Sequence, residues 1–267
     1  MSETHSPDRI LSGRRALVTG GGSGLGFVFA DALAEAGADL VICGRRAAVV
    51  EEAAEKLRIY GGNVEARATD ISRPDEIASL KQQTGAIDIL INNAGYSIRR
   101  QSWLEVTAAE WQEVLAVNLM APFLLAQAFA PAMMAAGFGR IVNLSSIYGV
   151  VASNPDHFPD MPSDNTSYVA SKHALIGLTK NLAMRVAGSG VTVNTVSPGI
   201  FPELSKQDRT DGASAGQKTG ATLLQNIPMH RFGKADDLRG TIIFVAGPHS
   251  AYITGQTFVV DGGFTIS

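Results

Sequence analysis

The chain has 267 residues, of which 45% are hydrophobic and 18% charged, and its formal net charge is −3. This length fits one large α/β domain or two small ones, and the charge gives no electrostatic footprint for a nucleic-acid partner. The single cysteine, Cys43, excludes a disulfide within the chain, and the spacing of the five histidines predicts no metal site.

The N-terminal segment, residues 1–9, is polar and lacks the apolar core of a signal sequence. No segment is expected to reach the roughly 18 uncharged apolar residues of a membrane span. We therefore expect a flexible N-terminus at 1–9, no membrane partner and a cytoplasmic location.

Strand-like and helix-like segments alternate along the rest of the chain. The predicted strands are 15–19, 39–43, 63–68, 87–92, 139–145, 190–196 and 256–260. The predicted helices are about 24–36, 47–60, 74–84, 107–136, 166–187 and 234–246. This alternation predicts a parallel sheet with helices on both faces, and the right-handed crossover rule makes it doubly wound. Because no Pro/Gly/Ser-rich linker divides the chain, we expect a single α/β domain over 10–267.

The first predicted strand runs into a glycine-rich loop, Thr19–Gly26, that opens the first helix. Strand, glycine turn and helix is the context in which backbone N–H groups can approach a pyrophosphate. The glycines at 20, 24 and 26 differ in spacing from the usual G-x-G-x-x-G pattern.

Two further motifs stand where predicted strands end. The sequence Asn-Asn-Ala-Gly occupies 92–95, and the pair Ser145-Ser146 follows the strand at 139–145. Ligands of open α/β sheets bind beyond such carboxyl ends, so both motifs are candidate site residues.

The most informative pair is Tyr168 and Lys172, at the start of the predicted helix 166–187. Residues at i and i+4 lie on one helix face, about 6 Å apart. A lysine ammonium there should favour the phenolate and lower the tyrosine pKa. Such a tyrosine can act as general acid or base on an alcohol or a carbonyl.

Together these motifs resemble the short-chain dehydrogenase/reductase family over almost the whole chain. The matching residues are Thr19 to Gly26, Asp70, Asn92 to Gly95, Asn118, Ser146, Tyr168, Lys172, Asn194 and Ser197 to Gly199. The resemblance implies a Rossmann-type sheet of about seven strands and hydride transfer between a nicotinamide cofactor and a carbonyl or secondary alcohol.

The resemblance also implies the role of each residue. Tyr168 would pass the proton, Lys172 would lower its pKa and bond the nicotinamide ribose, and Ser146 would donate to the substrate oxygen. Asn118, mid-way along the predicted helix 107–136, would hold a water that relays protons to Lys172; taken alone, it could equally face solvent. Ser145 is the alternative serine. The implied cofactor-binding residues are Gly20, Ser23, Gly24, Leu25, Gly26, Arg45, Arg46, Asp70, Ile71, Asn92, Ala94, Gly95, Tyr168, Lys172, Pro198, Gly199 and Ile200.

The end of the second predicted strand favours NADP, with NAD as the alternative. Gly44 stands where an NAD enzyme usually carries an acidic side chain for the ribose 2′-hydroxyl. Arg45 follows, and a guanidinium suits a 2′-phosphate. Arg46 could add to this or face solvent. Asp70 would meet the adenine. Glu203 replaces a threonine frequent in the family, which weakens the carboxamide contact expected there.

Two segments interrupt the alternation. Residues 199–230 are polar and irregular, and the family carries its substrate-covering segment there. Residues 154–165 form an insert, because Ser146 and Tyr168 are 22 positions apart, more than is usual in the family. Its three prolines predict a stiff loop. We expect it to line the substrate mouth opposite 199–230, with His157 or Phe158 inward and the aspartates outward. The alternative is a loop that only covers the surface.

Three features resemble gluconate 5-dehydrogenases and deoxygluconate dehydrogenases: the Arg99-Arg100 pair after the Asn-Asn-Ala-Gly motif, the opening Leu11–Gly20 and the ending Tyr252–Gln256. Arginine binds carboxylates well, so a polyol or sugar acid is the expected substrate; alternatively, both arginines lie on the rim. Two other functions stay open. A 3-oxoacyl-carrier-protein reductase would need a basic patch for its acidic partner, and 129–137 has no basic residue. A non-catalytic scaffold would not need all four catalytic residues. The apolar helices 107–136 and 166–187 predict a homo-oligomer, most simply a tetramer.

Overall fold

The computed structural model describes residues 9–160, 164–202 and 217–267. Seven strands form one parallel sheet in the order β3-β2-β1-β4-β5-β6-β7. The strands are β1 Arg15–Thr19, β2 Asp39–Gly44, β3 Val64–Ala68, β4 Ile89–Asn92, β5 Gly139–Leu144, β6 Val191–Pro198 and β7 Thr257–Val260. The doubly wound parallel sheet expected from the sequence is confirmed.

Helices cover both faces of the sheet. Those described are α1 Gly24–Glu35, α2 Ala47–Leu57, α3 Pro74–Thr84, α4 Ala108–Leu115, α5 Ala121–Ala136, α6 Thr166–Val186, α7 Gln217–Gln225 and α8 Asp236–Ala246. Two predictions need correction. The helix predicted at 107–136 contains a π-helical turn, Ala116–Met120, between α4 and α5. The segment 199–230, expected to be irregular, contains α7.

The sheet separates two apolar cores. On one side Phe29 and Leu33 of α1 pack with α2 and α8, and on the other Leu125 and Phe129 of α5 pack with α3 and α6. All four side chains are fully buried, and burying each contributes about 1.5–3 kcal/mol. Both faces of the strands are therefore apolar, which is why the strands read as continuous hydrophobic runs.

The strand order reverses between β1 and β4, which pair directly with Val18 opposite Ile91. The chain leaves β1 toward one face and β4 toward the other, so a crevice opens at their carboxyl ends. This crevice lies between the glycine-rich loop and the Asn-Asn-Ala-Gly motif.

The continuous helical run Ala108–Ala136 corrects an expectation about membrane spans. By length and composition it is the one helix in the described ranges that could cross a membrane, with a hydropathy of 1.7. In the structure Leu125, Phe129 and Met133 of this run are buried against the sheet. The apolar run therefore belongs to the core of the domain.

The N-terminal tail predicted at 1–9 falls mostly on residues 1–8, which lie outside the described residues. Arg9 is described, and its guanidinium donates to the carbonyl of Tyr60 at 2.5 Å. A flexible tail at 1–9 stays a prediction.

Candidate active site

Helix α6 carries Tyr168 and Lys172 on one face, as predicted. Its start is fixed by Asp164, whose carboxylate accepts the Thr166 N–H at 3.0 Å. The Lys172 side chain is buried, and its ammonium lies 5.5 Å from the centre of the Tyr168 ring. The ammonium donates to the carbonyl of Leu144, at the end of β5, over 2.6 Å. This bond holds the helix to the carboxyl edge of the sheet.

Burial governs the pKa values of this pair. It lowers the pKa of Lys172 to about 8. It raises the pKa of Tyr168, although a hydrogen bond with Ser146 and the charge of Arg99 lower it in part. The expectation that Lys172 would bring the tyrosine pKa down is therefore wrong for this geometry. Tyr168 stays protonated at neutral pH and is poised to donate a proton.

The two adjacent serines after β5 have different partners. Ser146 lies near Tyr168, whose pKa it helps to lower, and its hydroxyl accepts the N–H of Tyr148 at 3.2 Å. Ser145 donates to the backbone carbonyl of Lys172 at 3.0 Å, inside the protein. Ser145 therefore anchors α6, and Ser146 is the serine beside the reactive tyrosine.

Asn118 lies in the π-helical turn and is buried. Its amide donates to the carbonyl of Tyr96 at 2.8 Å and to the hydroxyl of Ser171 at 2.9 Å, and its oxygen accepts the Tyr96 N–H at 2.8 Å. The alternative of a solvent-facing residue is wrong. Single π-turns often mark functional positions, and this one turns Asn118 toward α6 and the strand-end loop.

The glycine-rich loop is held by backbone contacts that only small residues allow. The Thr19 hydroxyl accepts the N–H groups of Asn93 and Ala94, each at 3.0 Å, which joins the loop to the neighbouring strand end. Gly20 has φ +65°, a left-handed value. A Cβ at Gly26 would collide with the carbonyl oxygen of Gly20. The sequence folds locally into a tight turn with its backbone facing the crevice.

The adenosine side of the crevice carries two arginines and an aspartate. Arg45 is exposed, and Arg46 donates to the Ser23 hydroxyl at 3.3 Å, which brings a guanidinium to the glycine loop. Burial alone would raise the pKa of Asp70, but two bonds from Ser72 and the charges of Arg45 and Arg73 outweigh it, and the pKa is lowered. Asp70 is therefore ionised and turned toward the end of β2.

The Asn92 side chain is hydrogen-bonded inside the protein rather than exposed to the crevice. Its amide donates to the Asn143 side chain at 2.8 Å, and Asn143 donates to the Thr179 hydroxyl at 2.9 Å. This buried polar chain ties β4 to β5 and α6. A cofactor contact from the Asn92 side chain stays a prediction.

The remaining predicted cofactor residues lie at the same edge of the sheet, after β1, β3, β4 and β6. The Gly199 N–H donates to Val260 at 2.9 Å, and the Ile200 carbonyl accepts from Gly233 at 3.0 Å. The predicted cofactor contact of Ile200 stays a prediction, and Glu203 lies outside the described residues. The residues placed along this edge are Gly20, Ser23, Gly24, Leu25, Gly26, Ile71, Ala94, Gly95, Pro198, Gly199 and Ile200.

The two consecutive arginines point to different partners. The Arg99 guanidinium stacks 4.9 Å from the centre of the Phe158 ring, and its charge reaches Tyr168. Arg100 forms an ion pair with Glu110 on the surface, and its backbone pairs with Asp164. Of the two arginines, Arg99 is the one whose charge reaches Tyr168, and a contact of either arginine with substrate stays a prediction.

The insert packs on the segment that it was expected to face. Phe158 is buried in an apolar cluster with Tyr148, Leu223, Ile227 and others, and the partly buried Tyr168 packs against this cluster. His157 meets the ring of Phe264 edge-on, with centroids 5.5 Å apart.

Two of the aspartates expected to face outward also bind the starts of helices, although Asp160 is exposed. Asp160 accepts hydrogen bonds from the start of α7, and Asp164 from the start of α6. Residues 161–163 lie outside the described residues. Sequence reasoning missed α7 and Thr219, because their partners in the insert lie far away in sequence.

Several known proteins are similar to this chain over almost its whole length. The family model described as enoyl-(acyl carrier protein) reductase matches residues 20–265. The 2-dehydro-3-deoxy-D-gluconate 5-dehydrogenase of Bacillus subtilis is 36% identical over 262 residues, covering 95% of each chain. The 3-oxoacyl-[acyl-carrier-protein] reductase of Vibrio cholerae is 36% identical over 258 residues, covering 95% of this chain and 98% of its own.

A solved structure, a gluconate 5-dehydrogenase from Burkholderia cenocepacia in complex with NADP and tartrate, aligns with a TM-score of 0.83 and 34% identity. The alignment covers 98% of this chain and 100% of that chain. The chain belongs to the short-chain dehydrogenase/reductase family, and it is an oxidoreductase of the class that interconverts alcohols and ketones.

Proposed function

We propose that the protein interconverts a secondary alcohol and a ketone on a polyol or sugar acid, with NADP as its cofactor. The observation that carries this proposal is the placement of Tyr168 next to Lys172 and near Ser146 at the carboxyl edge of the sheet, in reach of the Arg99 charge. A proton donor, an oxygen-binding hydroxyl and a cation thus lie in one mouth at the carboxyl edge of the sheet.

The residues at the adenosine side fit NADP. The tight turn over Gly20 and Gly26 lets a pyrophosphate approach the N-terminus of α1, which has no acidic residue in its first turn. Arg45 and Arg46 supply guanidinium groups where Gly44 replaces an acid. When bound, NADPH would supply the hydride for reduction and NADP+ would accept it in oxidation. Structures of similar proteins described as gluconate dehydrogenases hold NADP, which supports the choice.

The proton chemistry follows from the side chains. Tyr168, protonated at neutral pH, donates to the oxygen of a ketone during reduction, while Ser146 donates a second hydrogen bond that stabilises the developing charge. Lys172 has a pKa of about 8, so its side chain can release or take up a proton close to neutral pH. Asn118 holds the loop at Tyr96 against α6, next to Lys172.

A substrate carboxylate is the natural partner of Arg99. A guanidinium bonds a carboxylate with two parallel N–H groups, which fixes orientation as well as charge. The tartrate in the Burkholderia complex is a dicarboxylate hydroxy acid, which is compatible with this choice.

Reduction of a 3-oxoacyl carrier protein is the second candidate, because relatives with that name are as similar in sequence as the gluconate enzymes. The stretch 129–137 has no basic residue for an acidic carrier protein, which favours the small substrate. A scaffold that only binds dinucleotide would not need Ser146, Tyr168 and Lys172 together.

A panel assay decides among these functions. Nicotinamide absorbance is followed with NADP+ and gluconate, other sugar acids or polyols, and with NADPH and a 3-oxoacyl thioester. We expect the highest kcat/KM for a sugar acid or polyol. A preference for the thioester would favour the carrier-protein reductase, and turnover of none would favour the scaffold.

The assembly we propose is a homotetramer in the cytoplasm. Among the large apolar side chains that are exposed, Met120, Phe123 and Met184 lie on the side of α5 and α6, and Phe244 and Val259 lie at the α8–β7 end. Two such faces allow two different two-fold contacts. Light scattering at micromolar concentration should give four times the mass of one chain, and a monomeric mass would reject the tetramer.

A further inference from the structure

The insert carries an aspartate that binds the start of a distant helix. The Asp160 carboxylate accepts the N–H of Lys218 at 3.1 Å and that of Thr219 at 3.2 Å, and it also accepts the Thr219 hydroxyl. The first N–H groups of a helix have no partner within the helix. Asp160, 59 positions away from Thr219, supplies those partners as a capping residue normally does.

Helix α7 has little stability of its own. It has only nine residues, contains a glycine and two threonines, and has no acidic residue in its first turn. Glycine and threonine are weak helix formers, and so short a helix is marginal in water without tertiary contacts. The negative charge that favours a helix N-terminus comes from the insert instead.

The same helix closes one side of the substrate mouth. Leu223 of α7 and Ile227 just beyond it are buried in the cluster that contains Phe158, and Tyr168 packs against this cluster. The insert therefore holds α7 at two points, by Asp160 at its start and by Phe158 on its apolar side. A shift of α7 would change the wall beside the reactive tyrosine.

We propose that Asp160 is a positioning residue that holds α7 against the substrate mouth and thereby sets substrate affinity. The effect on affinity rests on the proposed function, whereas the hold on α7 does not. Asp156 provides a matched control, because it is exposed in the same insert and its carboxylate forms no hydrogen bond within the described ranges.

Hydrogen exchange tests the hold on α7 without any substrate. In Asp160→Ala, amides of 217–225 should exchange about 2- to 30-fold faster, the range expected for loss of a capping acceptor. Asp160→Asn keeps an oxygen for Thr219 but turns an amide toward the Lys218 N–H, so its effect should be intermediate. Exchange of 217–225 in Asp156→Ala, and exchange of the strand at 139–144 in each variant, should equal that of the parent protein. Equal exchange of 217–225 in Asp160→Ala and Asp156→Ala would overturn the proposal.

Kinetics test the consequence for substrate. With the substrate turned over best in the panel, Asp160→Ala should raise KM several-fold, leave kcat within about twofold, and leave the NADP Kd unchanged. Adding Thr219→Val should change KM little further, since the hydroxyl has already lost its partner. Faster exchange of 217–225 with an unchanged KM would reject Asp160 as a determinant of affinity. If nothing in the panel is turned over, the proposed function fails, and the exchange result still decides whether Asp160 holds α7.

Discussion

The glycine-rich loop and the substrate mouth are built in different ways. The loop is shaped by its own backbone, because Gly20 adopts a left-handed φ and a side chain at Gly26 would collide with it. The mouth is shaped by side chains from three segments far apart in sequence, represented by Phe158, Leu223 and Phe264. With the proposed function, nucleotide binding would depend on a local motif, and substrate selection would depend on tertiary packing.

This difference implies that the two functions can be changed separately. A substitution in the mouth should alter KM and substrate preference and leave the NADP Kd unchanged. A substitution at the end of β2 should do the reverse. The residues where the two regions meet, Ser146, Tyr168 and Lys172, should affect the reaction itself.

The largest effect should come from that meeting point. Tyr168→Phe keeps the ring and removes the hydroxyl, so kcat should fall by about 10²–10⁴. The protein should fold and bind NADP as before. The check is the initial rate together with a fluorescence titration of the nucleotide. A kcat near that of the parent protein would refute Tyr168 as the proton donor.

Burial of the Lys172 ammonium, where the two regions meet, should lower the stability of the folded protein. Between pH 8 and 10.5 the unfolded lysine is protonated and the buried one is not, so stability of the parent protein rises with pH across this window. The full gain is roughly 3 kcal/mol. Lys172→Met lacks this gain, so its stability relative to the parent should decline as pH rises from 7.5 to 10.

Urea unfolding at both pH values and at one fixed protein concentration measures this difference. Lys180→Met, at an exposed lysine of the same helix, serves as the control and should show no such trend. If the difference in unfolding free energy between the parent protein and Lys172→Met does not depend on pH, burial does not disfavour the charged form of Lys172.

Substitutions of Arg99 and Arg100 test how the substrate mouth selects its substrate. Arg99→Ala should raise KM for a sugar acid about tenfold to a hundredfold, the loss expected for a charge-assisted hydrogen bond of roughly 1.5–3 kcal/mol. Arg99→Lys should recover part of it, and KM for an uncharged polyol should change little. Arg100→Ala, which breaks a surface ion pair with Glu110, is the control. Equal KM changes for acid and polyol would remove the carboxylate assignment.

Substitutions of Arg45 and Arg46 test how the nucleotide region distinguishes NADP from NAD. NADP should bind more tightly than NAD, and Arg45→Ala should remove most of that preference, again about tenfold to a hundredfold. Arg46→Ala should have a smaller effect, because this guanidinium already bonds Ser23. The measurement is the Kd of each dinucleotide for each variant. Equal Kd values for NADP and NAD in the parent protein would reject the preference.

The sequence predicted the fold and the local motifs well for one physical reason. Apolar runs buried on both faces define the strands, and the glycines and the Tyr168/Lys172 spacing act through local geometry. The pKa of Tyr168 could not be predicted in the same way, because burial depends on what packs around the ring and outweighs nearby charges. The different partners of Arg99 and Arg100 depend on Phe158 and Glu110, which no local pattern connects.

The insert shows the same limit. Prolines predicted a stiff loop, but nothing near Asp160 indicates that its partners are Lys218 and Thr219. The π-turn at Asn118 also follows from tertiary bonds to Tyr96 and Ser171, and helix propensity alone predicts an unbroken helix there.

Shortening the insert tests most directly whether the nucleotide and substrate regions are separable. A variant lacking 155–163 keeps Asp164, which fixes the start of α6, and loses both contacts with α7. We expect a raised KM or a changed order of preferred substrates, with the NADP Kd and the oligomeric mass unchanged. An unchanged KM and substrate order, or a changed NADP Kd in a variant of normal mass, would contradict the separation.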